Sequence, residues 1–470
     1  MFKNIKRFGR KTALLVGDEA VSYEEFCRLS EAAAAAVGER SLVFLLCKNT
    51  KAAIAGYVGF IKNRIVPIML DAEMDSLLLE NLVRIYRPAY FWLPLSLADR
   101  YPSYEEVFRQ DDYALLQIDE DKIFPLHEDL ALLMTTSGST GSPKFVRLSY
   151  QNLRSNTEAI VEYLRMTEKE RGITSLPIHY VYGLSVVNTH LHVGASLVVT
   201  EKSLFQRDFW QLLGQQKVNS LAGVPYTYAM MDRLRFFRMD LPHLHTLTQA
   251  GGKLDVALHR KFAAYALENN KQFIVMYGAA EATARMGYLP ADMSLNKCGA
   301  MGIAIPGGRF ELIDAEGRVI KENNTSGELV YYGDNVFMGY AEQGADLVLG
   351  NEREGRLVTG DIAVRDASGY YTVIGRKKRF LKVFGKRVNL QEVEQIIRQT
   401  YGDPEVACAG VDDHVHVFFT EEKDAGEVRR FLSKKLGIHP TAFTVKRIQE
   451  IPKNPSGKTI YRELEKYYDI

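Results

Sequence analysis

The sequence predicts an α/β protein. A large N-terminal domain of parallel-rich sheets covered by helices, with a β-rich subdomain, is joined to a small α+β C-terminal domain. Three observations carry this prediction. Short apolar runs alternate with longer helical patterns up to residue 277; Gly-punctuated alternating strands take over after residue 295; and the chain beyond a basic stretch at 375–382 reads as helix, two strands and helix.

In order along the chain, SLVFLLC at 41–47 is a buried strand, KAAIAGYVGFIK at 51–62 a helix, RIVPIML at 64–70 a strand and 74–86 a helix. ALLMTT at 131–136 is strand-like and runs into a Gly/Ser/Thr loop that precedes a helix, with Ser149 as N-cap and an end near Leu164. Strands at ASLVVT, SLAGV, TLTQA and QFIVM are separated by helices near 205–216, 226–234 and 255–268. Such alternation is the pattern of parallel sheets covered by helices. RFELID, GELVYYG, IAVRD and YYTVIG build the β-rich subdomain at about 295–375. GRKKRFLK at 375–382 marks the boundary, dividing 1–377 from 378–470; helix 390–399, strands EVACAG and VHVFFT and helix 424–435 follow.

Composition narrows the function classes. With 59 basic and 58 acidic residues the net charge is +1, which argues against an overall electrostatic footprint for nucleic acid or an anionic membrane. The apolar run at 41–70 is interrupted by Lys48, Lys51, Lys62 and Arg64, so it falls short of the roughly eighteen apolar residues of a span. The N-terminus lacks the apolar region and cleavage site of a signal peptide, and a cytoplasmic protein is expected. Cys27, Cys47, Cys298 and Cys408 have no metal or redox spacing and read as small hydrophobes.

Two segments carry chemistry. In TTSGSTGSPK, at 135–144, small residues let the backbone approach a phosphate chain, amides and hydroxyls can point inward, and Lys144 adds a point charge; the other reading is a surface turn. PKNPSGKT, at 452–459, ends like a Walker A loop, but Pro452 replaces the first Gly and Pro455 falls inside it, which weakens a P-loop hydrolase reading. Lys458 is then either a solvated lysine or a catalytic one on a mobile loop.

The chain resembles the adenylate-forming superfamily of acyl- and aryl-CoA synthetases, peptide-synthetase adenylation domains and luciferases. TSGSTGSPK resembles its phosphate loop, YGAAEAT (277–283) its YGxTE motif, RLVTGD (356–361) its ribose-binding TGD, GRKKRFLKVFGKRVNLQEVE (375–394) its hinge and following strand, and NPSGK (454–458) its C-terminal lysine motif. The resemblance implies ATP-dependent formation of an acyl-adenylate, then transfer to the pantetheine thiol of coenzyme A or a carrier protein. It implies that Thr136, Ser137, Gly138, Ser139, Thr140, Gly141 and Lys144 hold the phosphates, that Glu281 binds Mg2+, and that Lys458 bridges the reacting carboxylate and α-phosphate. Asp361 would take the ribose hydroxyls with Arg376 nearby, and Tyr277 and Gly278 would meet adenine beside Gly251 and Gly252. Lys378 holds the hinge position, and Gly385 would line the pantetheine tunnel.

On the acyl side, LPIHYVYGLS (176–185) resembles the segment that gates and lines the acyl pocket, with His179 and Tyr182; His179 as a satisfied core histidine is the other reading. Val224, Tyr226 and Ala279 would complete the walls, with Tyr228 a further candidate. Amino-acid-activating members carry an Asp in the 176–185 segment. None is present, so an uncharged acyl or aryl acid is expected. One departure stands out: Ala280 occupies the place of the family Thr, whose hydroxyl contacts the α-phosphate, and Thr283 or a water is the expected substitute. That departure motivates the alternative reading, a non-catalytic protein of this fold that binds nucleotide or acyl ligand.

Overall fold

A computed structural model describes all residues except 1, 3, 119–122, 136–143, 385, 403–404, 454–456 and 469–470, and the side chains of Lys378 and Arg387. Packing divides the chain into two compact units, residues 1–310 with 331–357, and residues 311–330 with 358–470.

The first unit is built on two large sheets. In one, Leu42–Cys47 pairs parallel with Val66–Asp71 and Tyr90–Pro94, and Val66–Asp71 pairs parallel with Leu130–Thr135. These four strands are buried on both faces, which is why they read as continuous apolar runs. Antiparallel strands extend the sheet, Tyr113–Gln117 and Glu105–Gln110 on one side, Phe145–Ser149 and Gly339–Ala341 on the other. In the second sheet, Ser196–Val199, Arg171–Ile173, Ser220–Gly223, Thr246–Gln249 and Gln272–Tyr277 run parallel in that spatial order.

Most expected elements form within a residue or two. Ser149 caps helix Tyr150–Tyr163 in a reciprocal box: its Oγ accepts from Asn152 N at 3.0 Å, and its own N donates to Asn152 Oδ1 at 2.8 Å. Other elements escape the sequence reading, among them strands Thr12–Val16, Tyr90–Pro94 and Tyr113–Gln117. YEEFCRLSEAAAAAV forms helix Tyr23–Val37, and VYGLSVVNTHLHV forms helix Val181–Val193. Strand Phe145–Ser149 lies between the Gly/Ser/Thr segment and the helix, so that segment precedes a strand and not a helix. The strand was concealed by the charge at its centre. Arg147 is fully buried there, donating to Tyr340 O at 3.0 Å and pairing with Glu352.

The second unit carries a four-stranded sheet ordered Arg309–Ile313, Ser326–Tyr332, Arg356–Arg365, Tyr371–Arg376, a hairpin of Phe380–Val383 with Lys386–Asn389, and a three-stranded sheet. In the last, Val406–Val411 and His414–Phe419 are antiparallel, and Phe443–Arg447 joins parallel to the second. Helices Leu390–Tyr401 and Ala425–Leu436 cover it over a core including Val393, Ile397, Cys408, Val415, Val417 and Leu432. Cys27, Cys47 and Cys408 are buried and Cys298 is half-buried, all four as free thiols. Among the described residues no helix is long and apolar enough to cross a membrane.

Candidate active site

In the first unit the site grows from the end of strand Gln272–Tyr277. Tyr277 is half-buried, its ring centroid 6.2 Å from that of Phe310. The backbone turns back at once: a Cβ on Gly278 would sit 1.7 Å from Ala284 O, and Met286 N donates to Tyr277 O at 2.8 Å. Only glycine permits so close an approach. Ala279 is half-buried beside it. The 3-10 turn Ala280–Ala282 then presents Glu281, whose carbonyl accepts from Phe337 N at 2.9 Å.

Glu281 Oε1 accepts from Tyr340 Oη at 3.0 Å, and Lys144 Nζ lies 3.8 Å from the centroid of the Tyr340 ring. Burial, then the Glu281 carboxylate, raises the Tyr340 phenol above its ordinary pKa, so it stays a donor. Lys144 also approaches Glu342 Oε1 at 3.2 Å. Tyr340 thus joins two expected site residues, and nothing in its local sequence announced it. Its place is set by the pairing of Gly339–Ala341 with Phe145–Ser149, in which it opposes Val146.

The turn after Glu281 is locked by Asn335, also unforeseen. Its Nδ2 donates to Ala282 O at 2.9 Å and Arg285 O at 2.8 Å, and its Oδ1 accepts from Tyr331 Oη at 2.8 Å. Thr283 Oγ1 donates to Asn335 O at 2.7 Å. That commits the Thr283 proton to the backbone, so Thr283 does not replace the missing hydroxyl at Ala280.

On the expected acyl side, Asn49 holds the 174–178 segment: Nδ2 donates to Thr174 O at 3.0 Å and Leu176 O at 3.1 Å, and Oδ1 accepts from Ile178 N at 3.2 Å. His179 is buried, and its Nε2 has no hydrogen-bond partner among the described residues; Asp71 Oδ2 is 3.7 Å away, beyond hydrogen-bond reach. It is therefore not a satisfied core histidine. Burial lowers its pKa, against the pull of Asp71 and Glu73. Tyr182 is buried and donates to Thr248 O at 2.8 Å, the same carbonyl that Tyr228 reaches at 2.9 Å.

Tyr182 lines a cavity of about 40 Å³ together with Ser185, Ala222, Thr248, Met276 and Arg285. His179, Val224, Tyr226, Tyr228 and Ala279 lie outside its lining. Tyr226 is 50% exposed, its ring centroid 6.0 Å from that of Phe205. Gly251 abuts Val224, where a Cβ would come to 3.0 Å from Cγ1, and Gly252 abuts Pro225 at 3.2 Å.

In the second unit Asp361 and Arg376 face each other across antiparallel strands. Arg376 Nε lies 2.9 Å from Asp361 Oδ1, with Asp361 buried and Arg376 exposed. Thr359 fixes the approach, donating from Oγ1 to Leu329 O at 2.8 Å and accepting from Asp361 N at 3.0 Å. Not all of the basic stretch lies in solvent. Arg379 is 13% exposed, donates to Glu394 Oε1 at 2.6 Å and Cys408 O at 2.7 Å, and lies 3.6 Å from the Tyr461 ring centroid. Buried Glu394 also accepts from Cys408 N at 2.8 Å and Tyr461 Oη at 3.2 Å.

Lys458 is half-buried; beside it Lys453 and Thr459 form an antiparallel bridge, Ile460 N donates to Pro452 O at 2.8 Å, and Gly457 takes a left-handed φ of 77°. Thr136, Ser137, Gly138, Ser139, Thr140, Gly141, Gly385 and the side chain of Lys378 lie outside the described residues.

With the two-unit α/β architecture and these clusters in view, the relationship is direct. The chain belongs to the AMP-binding enzyme family, whose model matches residues 1–341. It is 29% identical over 358 residues to a long-chain-fatty-acid–CoA ligase of Salmonella typhimurium, a match covering 72% of this chain and 61% of the relative. The match thus spans less than two thirds of that relative's length. The fold is that of ATP-bound MatB from Rhodopseudomonas palustris (22% identity, TM-score 0.81, 99% of this chain and 98% of that one). It is equally that of the o-succinylbenzoate CoA synthetase from Bacillus subtilis in complex with its acyl-adenylate intermediate (19% identity, TM-score 0.79, 98% and 96%).

Proposed function

We propose that the chain uses ATP to activate a carboxylic acid, acyl or aryl and not an amino acid, as an acyl-adenylate with release of pyrophosphate. The acyl group then passes to the pantetheine thiol of coenzyme A or of a carrier protein. Family membership supports the reading. The observation that carries it is the Lys144–Tyr340–Glu281 cluster, a cation and a carboxylate held on one aromatic side chain next in sequence to the Gly/Ser/Thr segment.

The residues fit the chemistry in the following way. Two anions must approach, so positioned positive charge supplies most of the catalysis. Lys144 and residues 136–141 receive the β- and γ-phosphates. A single carboxylate, Glu281, suits Mg2+, which takes most of its ligands as phosphate and water oxygens and neutralises phosphate charge when bound. Asp361, steadied by Arg376, accepts the ribose hydroxyls, and Tyr277 stacks on adenine beside Gly278, Gly251 and Gly252. Buried His179 steers the incoming carboxylate. In our reading the part from Lys378 onward turns about that residue, bringing Lys458 to the α-phosphate for the first step and Gly385 to the pantetheine arm for the second. A cytoplasmic location belongs to the same proposal.

ATP–pyrophosphate exchange with a panel of acids tests it. Exchange with at least one acid is expected. Nucleotide binding with no exchange for any acid would overturn the enzyme reading and favour the ligand-binding alternative that Ala280 motivates.

A further inference from the structure

Arg285 is 3% exposed and lines the cavity of about 40 Å³ that also touches Tyr182. Its backbone is fixed by two buried amides: its carbonyl accepts from Asn156 Nδ2 at 2.9 Å and Asn335 Nδ2 at 2.8 Å. A guanidinium presents five N–H donors. Here Nε donates to Met276 Sδ at 3.4 Å, Nη1 to Ala284 O at 3.3 Å and Nη2 to Ser185 Oγ at 3.4 Å, and the group stacks 4.0 Å from the Tyr182 ring centroid. The two bonds to oxygen are long, and none of these acceptors is charged.

Among the described residues no carboxylate comes within ion-pair distance of Arg285. Glu170 lines the same cavity without pairing to it, and burial raises its pKa. His190, also in the lining, is pushed down to about 4 by burial and is neutral near pH 7. Burial keeps the neighbouring Tyr163 and Tyr182 phenols protonated. A buried cation held this firmly without a counter-ion is costly unless something else supplies the charge. Bidentate oxyanions match the guanidinium fork best.

We propose that Arg285 is the counter-ion for a second anionic group on the acid, at the end remote from the reacting carboxylate. The substrate class is then short acids bearing a further carboxylate or sulfonate, in place of the uncharged tail expected from the sequence. A cavity of this size holds on the order of three water-sized groups, which suits a short tail. The inference rests on the acid-activating reading of the same site.

The test is ATP–pyrophosphate exchange by the full chain with matched pairs of equal length: propionate and malonate, butyrate and succinate, pentanoate and glutarate, with sulfoacetate added. The wild type should favour the dianionic member of at least one pair, or sulfoacetate over acetate, by about tenfold or more in kcat/KM, the scale of one charge-assisted interaction. Arg285→Met should bring that ratio near one, and Arg285→Lys should restore part of it. A wild type that prefers the mono-acid throughout overturns the inference while leaving acid activation standing. An Arg285→Met variant that folds, by its thermal melt, and keeps the ratio also overturns it. If the variant does not fold, the wild-type ratios decide alone. No exchange with any acid overturns both readings.

Discussion

Tyr340 is the side chain on which the two charges of the candidate site meet. Tyr340→Phe keeps the ring under Lys144 and removes the hydroxyl that donates to Glu281. Such a bond to a charged group is worth about 1.5–3 kcal/mol. Exchange activity should therefore fall roughly tenfold or more, with a changed Mg2+ requirement. Unaltered kinetics and Mg2+ dependence in a folded variant would make the contact incidental. Asp361→Ala should weaken ATP binding, read by titration calorimetry, because the ribose loses a charge-assisted acceptor; unchanged affinity would remove that assignment. At this scale the sequence was legible where a motif names its residues. Asp361 and Arg376 do meet, and Glu281 does project from its turn. Tyr340, Asn335 and Arg285 were not legible. Their positions depend on strand pairing and hydrogen bonds across long stretches of chain, and no local pattern encodes which way a lone polar residue in an apolar segment will face.

Elements were legible at helix Tyr150–Tyr163, where Ser149 supplies the cap, and at the parallel pair Leu42–Cys47 and Val66–Asp71, where the apolar runs are continuous. Strand Phe145–Ser149 was not legible because a buried charge, Arg147, interrupts its period. The basic stretch is the converse case: its composition suggests solvent, yet Arg379 is drawn inside by Glu394 and Tyr461. Removing one partner of a buried pair typically costs about 3–5 kcal/mol, because the other charge is stranded. Arg379→Ala should accordingly destabilise the second unit, seen as faster amide hydrogen exchange across helix Leu390–Tyr401 and a lower urea midpoint. Unchanged protection in that helix would show the pair to be energetically idle.

For the molecule as a whole, buried histidines set an acid limit. His190 and His259 are each pushed down to about 4 by burial, from an ordinary 6.5. The unfolded chain therefore binds more protons than the folded one between these values. Stability is fully present above about pH 6.5 and falls as pH drops toward 4, at about 1.4 kcal/mol per unit for each histidine. His259 holds its neutral tautomer by accepting from Gly299 N at 3.2 Å, with Nε2 3.2 Å from Ser294 Oγ. Urea midpoints measured from pH 7.5 to 4.5 should show a shallower slope in His259→Gln than in the wild type; identical slopes would contradict the linkage.

The central claim is adenylate formation completed by Lys458 from the C-terminal part, next to the Lys453–Thr459 bridge. A residue that acts mainly in one transition state should affect one half-reaction. The most direct measurement is therefore a paired assay on Lys458→Ala: ATP–pyrophosphate exchange with the preferred acid, and thioester formation from supplied acyl-adenylate. Near-abolition of exchange, with ATP binding and thioester formation largely retained, is the predicted result. Exchange at the wild-type rate, or equal loss of both half-reactions, would contradict it.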